Sequence, residues 1–161
     1  MAKVTLICGM LCTGKTTLAG RICAQTGAVL LSCDALMLAL FPEDNLGAEY
    51  ETYAERAKEY LLTRAEELLA RDVDVVLDWG FWTRAERAST AARFSVAGIQ
   101  TEWLFTDVSV QTWQQYIETR NQSIKNGCTS DYLIDEGLLC KAKARFEPLS
   151  DYEMKLYATF S

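Results

Sequence analysis

Residues 9–16 read Gly9-Met10-Leu11-Cys12-Thr13-Gly14-Lys15-Thr16 and match Gly-x-x-x-x-Gly-Lys-Ser/Thr at every fixed position. A loop of this composition can wrap a triphosphate. Its glycines let backbone N–H groups curl around phosphate oxygens, and the following helix points its positive end at them. Lys15 reaches the β- and γ-phosphates, where charge gathers as the γ-phosphoryl group leaves. The Thr16 hydroxyl is placed to ligate Mg2+, and Thr17 to touch the α-phosphate. The nucleotide-contacting set of the loop is Gly9, Cys12, Thr13, Gly14, Lys15, Thr16 and Thr17. No Asn-Lys-x-Asp segment for reading guanine occurs in the chain, so ATP with Mg2+ is the expected pair.

Two acids stand where an open parallel sheet binds ligands, beyond the carboxyl ends of its strands. Asp34 follows the apolar run 28–33, and Asp78 follows Val73–Leu77. A hydroxyl attacking the γ-phosphorus must lose its proton, and Asp34 is the candidate base. The same residue stands where a helix over 35–41 needs an N-cap. Asp78 ends its strand in the manner of a Walker B acid, which holds Mg2+ or touches the acceptor. The plainer reading is a carboxylate satisfied by neighbouring backbone. In the run Asp78-Trp79-Gly80-Phe81-Trp82-Thr83-Arg84 the aromatics suit the wall of an acceptor pocket. Trp82 and Arg84 are the candidate acceptor contacts, and Trp79 reads as core. Arg84 and Arg87 also fit helix-surface arginines paired with Glu86. Arg120 ends a helix ahead of a polar loop, where a cation can swing over the triphosphate or simply face the helix dipole. Lys125 and Arg145 flank that region, and Asp107 reads as a helix cap.

The elements that must position these residues are legible in outline. Apolar runs at Val4–Cys8, 28–33, Val73–Leu77 and Thr101–Phe105 read as strands, the first two fully buried. Helical spacing covers 15–25 up to Gly27, 35–41, 47–71, a stretch from Thr83 to Val96 opened by a Thr83/Glu86 capping box, and 109–121. A mobile loop is expected over 122–130, a helix over 131–146 and a last strand over 154–160. Strand and helix alternate, which predicts an α/β three-layer sandwich with a parallel sheet and helices on both faces. One domain over 1–161 is expected, without repeats or linkers.

The 161 residues are half apolar and carry a net charge of −6 with no Lys/Arg-rich block. That disfavours a nucleic-acid backbone as ligand. Six cysteines occur without a CxxC pair, and the chain has no His, which argues against disulfides and mixed zinc sites. Reduced thiols in a cytoplasmic protein are expected. No apolar stretch approaches a membrane span, and the short run before Gly9 does not suit a signal peptide.

The phosphate loop, Leu31-Ser32-x-Asp34, the run from Asp78 to Arg84, the Arg120-Asn121 pair and Arg145-Phe146-Glu147-Pro148 fall in one order. In that order the chain resembles the small P-loop kinases grouped as AAA-family ATPase-like kinases, which are similar to chloramphenicol phosphotransferase, zeta toxins and the kinase domain of polynucleotide kinase. The resemblance implies a five-stranded parallel core, an adenylate-kinase-like lid at about 120–131, and phosphorylation of a hydroxyl. It implies Asp34 as proton acceptor and Arg120 as a lid arginine. Such members carry another Arg about one turn before Arg120, where this chain reads Trp113-Gln114-Gln115-Tyr116-Ile117, leaving Lys125 to supply that charge. A ring-forming mechanical ATPase is not expected. The expected activity is transfer of the γ-phosphate of Mg-ATP to a hydroxyl of a small metabolite or antibiotic. The alternatives are a 5′-hydroxyl polynucleotide kinase, a nucleotide-sugar kinase and a non-catalytic ATP-binding module.

Overall fold

A strand such as Val4–Cys8, apolar on both of its alternating faces, is stable only when covered on both sides. The computed structural model describes residues 1–160 apart from 44, 130 and 131, and in it this segment is the central strand β1 (Lys3–Gly9). Beside it lie β3 (Val75–Gly80) and β4 (Gln100–Thr106), with β2 (Val29–Ser32) and β5 (Ala158–Phe160) at the edges. The order is β2-β3-β1-β4-β5, and every pairing is parallel. Alternation divides the core into two. Ile7, Val76 and Leu104 face helix α1 (Lys15–Thr26) through Leu18 and Ala19. Leu6, Cys8, Leu77 and Trp103 face the other way, onto α3 (Tyr50–Leu69) through Ala57, Leu61, Ala65 and Leu69, and onto α4 (Arg84–Val96) through Phe94.

The remaining helices are α2 (Cys33–Leu40), α5 (Val110–Lys125), α6 (Glu136–Arg145) and α7 (Asp151–Leu156). Among the described residues no helix is long and apolar enough to cross a membrane. The six cysteines are all free thiols, and Cys8 and Cys33 are buried as expected.

Several boundaries differ from the sequence reading. β2 is an edge strand with exposed residues, because β3 covers it on one side only. The helix expected to stop at 121 continues to Lys125, so the expected loop begins four residues later; nothing between 121 and 125 is a Pro or Gly that would end it. Residues 130 and 131 of the expected lid lie outside the described residues. The strand expected from 154 is preceded by α7, which Ser150 opens by accepting from Glu153 N at 3.2 Å. That is half of a capping box, a local signal stronger than the apolar alternation beyond it.

Candidate active site

β1 ends at Gly9, in register with Thr106 at the end of β4. A Cβ on Gly9 would lie 2.1 Å from Thr106 Oγ1 and 3.1 Å from the Thr106 carbonyl, so only glycine lets β4 approach this closely. Thr13 is buried behind the loop. Its hydroxyl donates to the Met10 carbonyl at 2.8 Å and lies 2.6 Å from the Thr106 hydroxyl. Cys12 at φ 59° and Gly14 at φ 89° turn the chain through left-handed geometry, which lines up backbone amides for an anion. Gly14 is the N-cap of α1 and brings no side-chain acceptor to its first-turn amides. From α5, the Trp113 indole N–H donates to the Leu11 carbonyl at 2.6 Å, and Lys143 stands over the ring at 5.5 Å.

Lys15 donates from Nζ to the Met10 carbonyl at 2.7 Å. Burial pulls its pKa below the ordinary lysine value, and the charges of Asp78 and Asp34 oppose that pull. Asp78 is only 3 % exposed. Burial pushes its carboxyl upward, held back by Lys15 and by the hydrogen bond from Thr16, while Asp34 pushes it up further. The Thr16 hydroxyl donates to Asp78 Oδ2 at 3.1 Å across 62 residues of sequence. Asp78 pairs with Ser32 in the β2–β3 register, and Asp34 is exposed in the first turn of α2, two residues on. Lys15, Thr16, Asp34 and Asp78, chosen from three separate segments, therefore form one group.

Thr16 and Asp78 are hard oxygen donors, and Mg2+ binds through one or two protein oxygens plus substrate phosphates. Among the described residues no group of three or more His, Cys, Asp or Glu gathers around one point. The donor set fits a magnesium held largely by a triphosphate, not an all-protein cage. The Thr17 side chain is exposed beside this group.

Other readings need correction. Ser32, not Asp34, caps α2, accepting from Ala35 N at 3.2 Å, which leaves the Asp34 carboxylate outside the cap. Ser109, not Asp107, caps α5. Arg87 is neither on the surface nor paired with Glu86. It is 1 % exposed and bonds Glu153 at 2.8 Å together with the carbonyls of Phe81, Trp82, Glu147 and Pro148. Gly80 and Phe81, at φ 85° and 49°, make the left-handed turn that offers two of those carbonyls. Trp79 and Phe81 are core residues in a chain of ring contacts with Trp103 and Tyr157, tilted, edge-on and stacked in turn, whereas Trp82 is half-buried. Arg84 is exposed, with Nε on the Pro148 carbonyl at 3.3 Å.

Arg120 lies within α5, not at its end. Its Nη2 donates to the Tyr132 carbonyl at 3.2 Å, and its buried Nε has no hydrogen-bond partner among the described residues. Asn121 bonds both backbone groups of Ile134, and the Tyr132 hydroxyl donates to the Phe41 carbonyl at 2.7 Å. Residues 132–134 thus strap α5 to the end of α2. Lys125 is the exposed last residue of α5, and Arg145 pairs with Glu51.

Sequence reasoning missed Thr106, Trp113 and Arg87. Thr106 had a signal, since a strand next to β1 must end beside the loop. The other two had none: Trp113 bonds Leu11 across 102 residues, and Arg87 takes its ion-pair partner Glu153 from 66 residues away.

A family model described as an AAA domain matches residues 4–149. No curated protein matches the chain. Among solved structures, a sugar kinase from Janibacter sp. is similar at 16% identity and a TM-score of 0.66, over 99% of this chain and 85% of that one. The APS kinase CysC of Mycobacterium tuberculosis, in complex with AMPPNP and APS, is similar at 20% identity and a TM-score of 0.60, over 98% and 88%. A chain of an RNA repair complex is similar at 17% identity and a TM-score of 0.69, over 89% of this chain and 43% of its own length. These likenesses show a shared P-loop kinase fold.

Proposed function

The chain belongs to the AAA-domain family, and on that premise we propose that it is an ATP-dependent phosphotransferase moving the γ-phosphate of Mg-ATP to a hydroxyl of a small molecule. The observation that carries this reading is the bond of Thr16 to Asp78 at 3.1 Å beside the phosphate loop, with Asp34 two residues beyond Ser32, the register partner of Asp78. A binding module needs the loop and Lys15. A second carboxylate left outside the helix cap at the end of β2 serves a reaction.

The loop amides from Gly9 to Thr17, with Cys12, Thr13 and Gly14 at the turn, hold the triphosphate, and Lys15 neutralises its tail. Lys15 exchanges its bond to the Met10 carbonyl for phosphate oxygens. Thr16 and Asp78 would hold Mg2+, which supplies charge neutralisation on the phosphates. Asp34 accepts the proton of the acceptor hydroxyl as its oxygen attacks the γ-phosphorus and the bond to the bridging oxygen of ADP breaks. Arg120 adds positive charge to the transferring group. The strap 132–134, docked on α2 through Tyr132, keeps water from competing with the acceptor. Trp82 and Arg84 border the acceptor side. The net charge of −6 weighs against a polynucleotide acceptor, although the fold is shared with a chain of an RNA repair complex.

The test is ADP release with and without a panel of hydroxyl compounds. Lys15→Ala abolishes transfer. Asp34→Asn lowers kcat by about 100-fold or more, the usual range for a general base, with Mg-ATP affinity unchanged. Transfer that survives Asp34→Asn intact removes the base assignment.

A further inference from the structure

We propose that Tyr132 is a positioning residue for phosphoryl transfer: its hydroxyl fixes the strap 132–134 to α2, and its carbonyl holds Arg120 towards the phosphate loop. This rests on the phosphotransferase reading above and on the role given there to Arg120.

The direction of Arg120 follows from α5. Trp113 bonds the Leu11 carbonyl at 2.6 Å, so the side of α5 that carries it faces the phosphate loop. Arg120 lies seven residues on, and two helical turns bring a side chain back to within about 20° of its starting direction. It therefore leaves α5 on the loop side, about 10 Å further along the axis. A long side chain has many rotamers, and a guanidinium serves a transferring phosphoryl group best when its fork is held in one of them. The holding group is the Tyr132 carbonyl, which accepts from Nη2 at 3.2 Å. A carbonyl orients a guanidinium without cancelling its charge, as a carboxylate would.

A carbonyl between two helices holds nothing unless it is itself fixed, and here it is fixed from both sides. Asn121, next to Arg120 on α5, donates to the Ile134 carbonyl at 2.8 Å and accepts from its N–H at 2.9 Å. Ile134 is 3 % exposed, which anchors that end of the strap. On the other side the Tyr132 hydroxyl donates to the Phe41 carbonyl at 2.7 Å. Phe41 closes α2 with its own N–H on the Met37 carbonyl at 2.8 Å, and its ring lies 5.1 Å from that of Tyr53 on α3. α2 is also the helix whose first turn carries Asp34. The two ends of Tyr132 thus set the cation of α5 against the segment that bears the base. Between them the ring is in edge contact with Tyr50 at 6.2 Å, so Tyr132→Phe keeps a ring there and loses the hydroxyl bond.

The experiment follows single-turnover release of ADP from Mg-ATP by the full chain, first with water as acceptor and then with the panel of hydroxyl compounds. Tyr132→Phe is expected to lower the rate constant about fivefold, the worth of one hydrogen bond. Affinity for Mg-AMPPNP by calorimetry should stay within about twofold, since the strap acts on the transferring group and not on the loop. Arg120→Ala should lower the rate about 100-fold, and in that background Tyr132→Phe should cost nothing more, because it acts through the arginine. A merely structural role would lower both backgrounds alike. Amide hydrogen exchange at Ile134 should quicken about fivefold in Tyr132→Phe as the strap loosens. A wild-type rate in Tyr132→Phe, an equal loss in both backgrounds or unchanged exchange at Ile134 overturns the assignment of Tyr132 and leaves the phosphotransferase reading standing. If the wild-type chain releases no ADP with water or with any compound of the panel, the phosphotransferase reading falls and the assignment falls with it.

Discussion

Replacing Arg87 with Met keeps most of the aliphatic stem and removes every bond the guanidinium makes. At 1 % exposure Arg87 joins three stretches: the turn at 81–82 through the Phe81 and Trp82 carbonyls, the 147–148 backbone, and Glu153 on α7. Removing one partner of a buried ion pair costs about 3–5 kcal/mol, because the other charge stays behind in low dielectric. The Glu153 side chain keeps 16% of its exposure and can partly rehydrate, so the lower end, about 3 kcal/mol, is expected. In a chain of this length each kcal/mol lowers Tm by roughly 2–4 °C, which gives a fall of roughly 6–12 °C. The assay is thermal unfolding followed by far-UV circular dichroism, with urea midpoints as a second measure. Glu153→Gln in the Arg87→Met background should cost less than the sum of the single changes, since it removes the stranded charge. The turn also carries Trp82, so acceptor KM should rise while Mg-ATP affinity holds. A Tm fall under about 2 °C, or strictly additive effects, would refute the reasoning.

Two further outcomes follow from the thiols and from the loop. Burial pushes the Cys8 and Cys33 thiols up to about 12 from the ordinary 9.0. Below about pH 9 both states keep these protons; above it the unfolded chain loses them first, so stability falls as pH rises from 9 towards 12. Urea midpoints at stepped alkaline pH should show that fall, Cys33→Ala should flatten it, and iodoacetamide at pH 8 should label the exposed Cys128 and Cys140 well ahead of the buried pair. Trp113→Phe keeps a ring against the loop but removes the bond to the Leu11 carbonyl, worth about 1 kcal/mol. Mg-ATP binding should weaken about fivefold by calorimetry with little change in Tm, and an unchanged Kd would show that the indole does not hold the loop.

What the chain alone determined is what lies within one turn or one strand. The phosphate loop is eight consecutive residues, and its strand-before, helix-after setting is equally local. Apolar runs disclosed β1, β3 and β4 because strands in the middle of a parallel sheet need apolar residues on both faces. Thr83 with Glu86 announced α4 because a cap acts over three residues; the like pair Ser150 and Glu153 opens α7, where the sequence reading expected only strand. Tertiary structure decided the rest. Edge position made β2 half-exposed, which its apolar composition conceals. Packing brought Asp78 to Thr16 across 62 residues, Trp113 to Leu11 across 102, and Arg87 to Glu153 across 66. An arginine, an aspartate and a tryptophan look alike in sequence whether exposed or buried. Only the fold sets their dielectric surroundings and supplies distant partners, and those two quantities separate a structural charge from a reactive one.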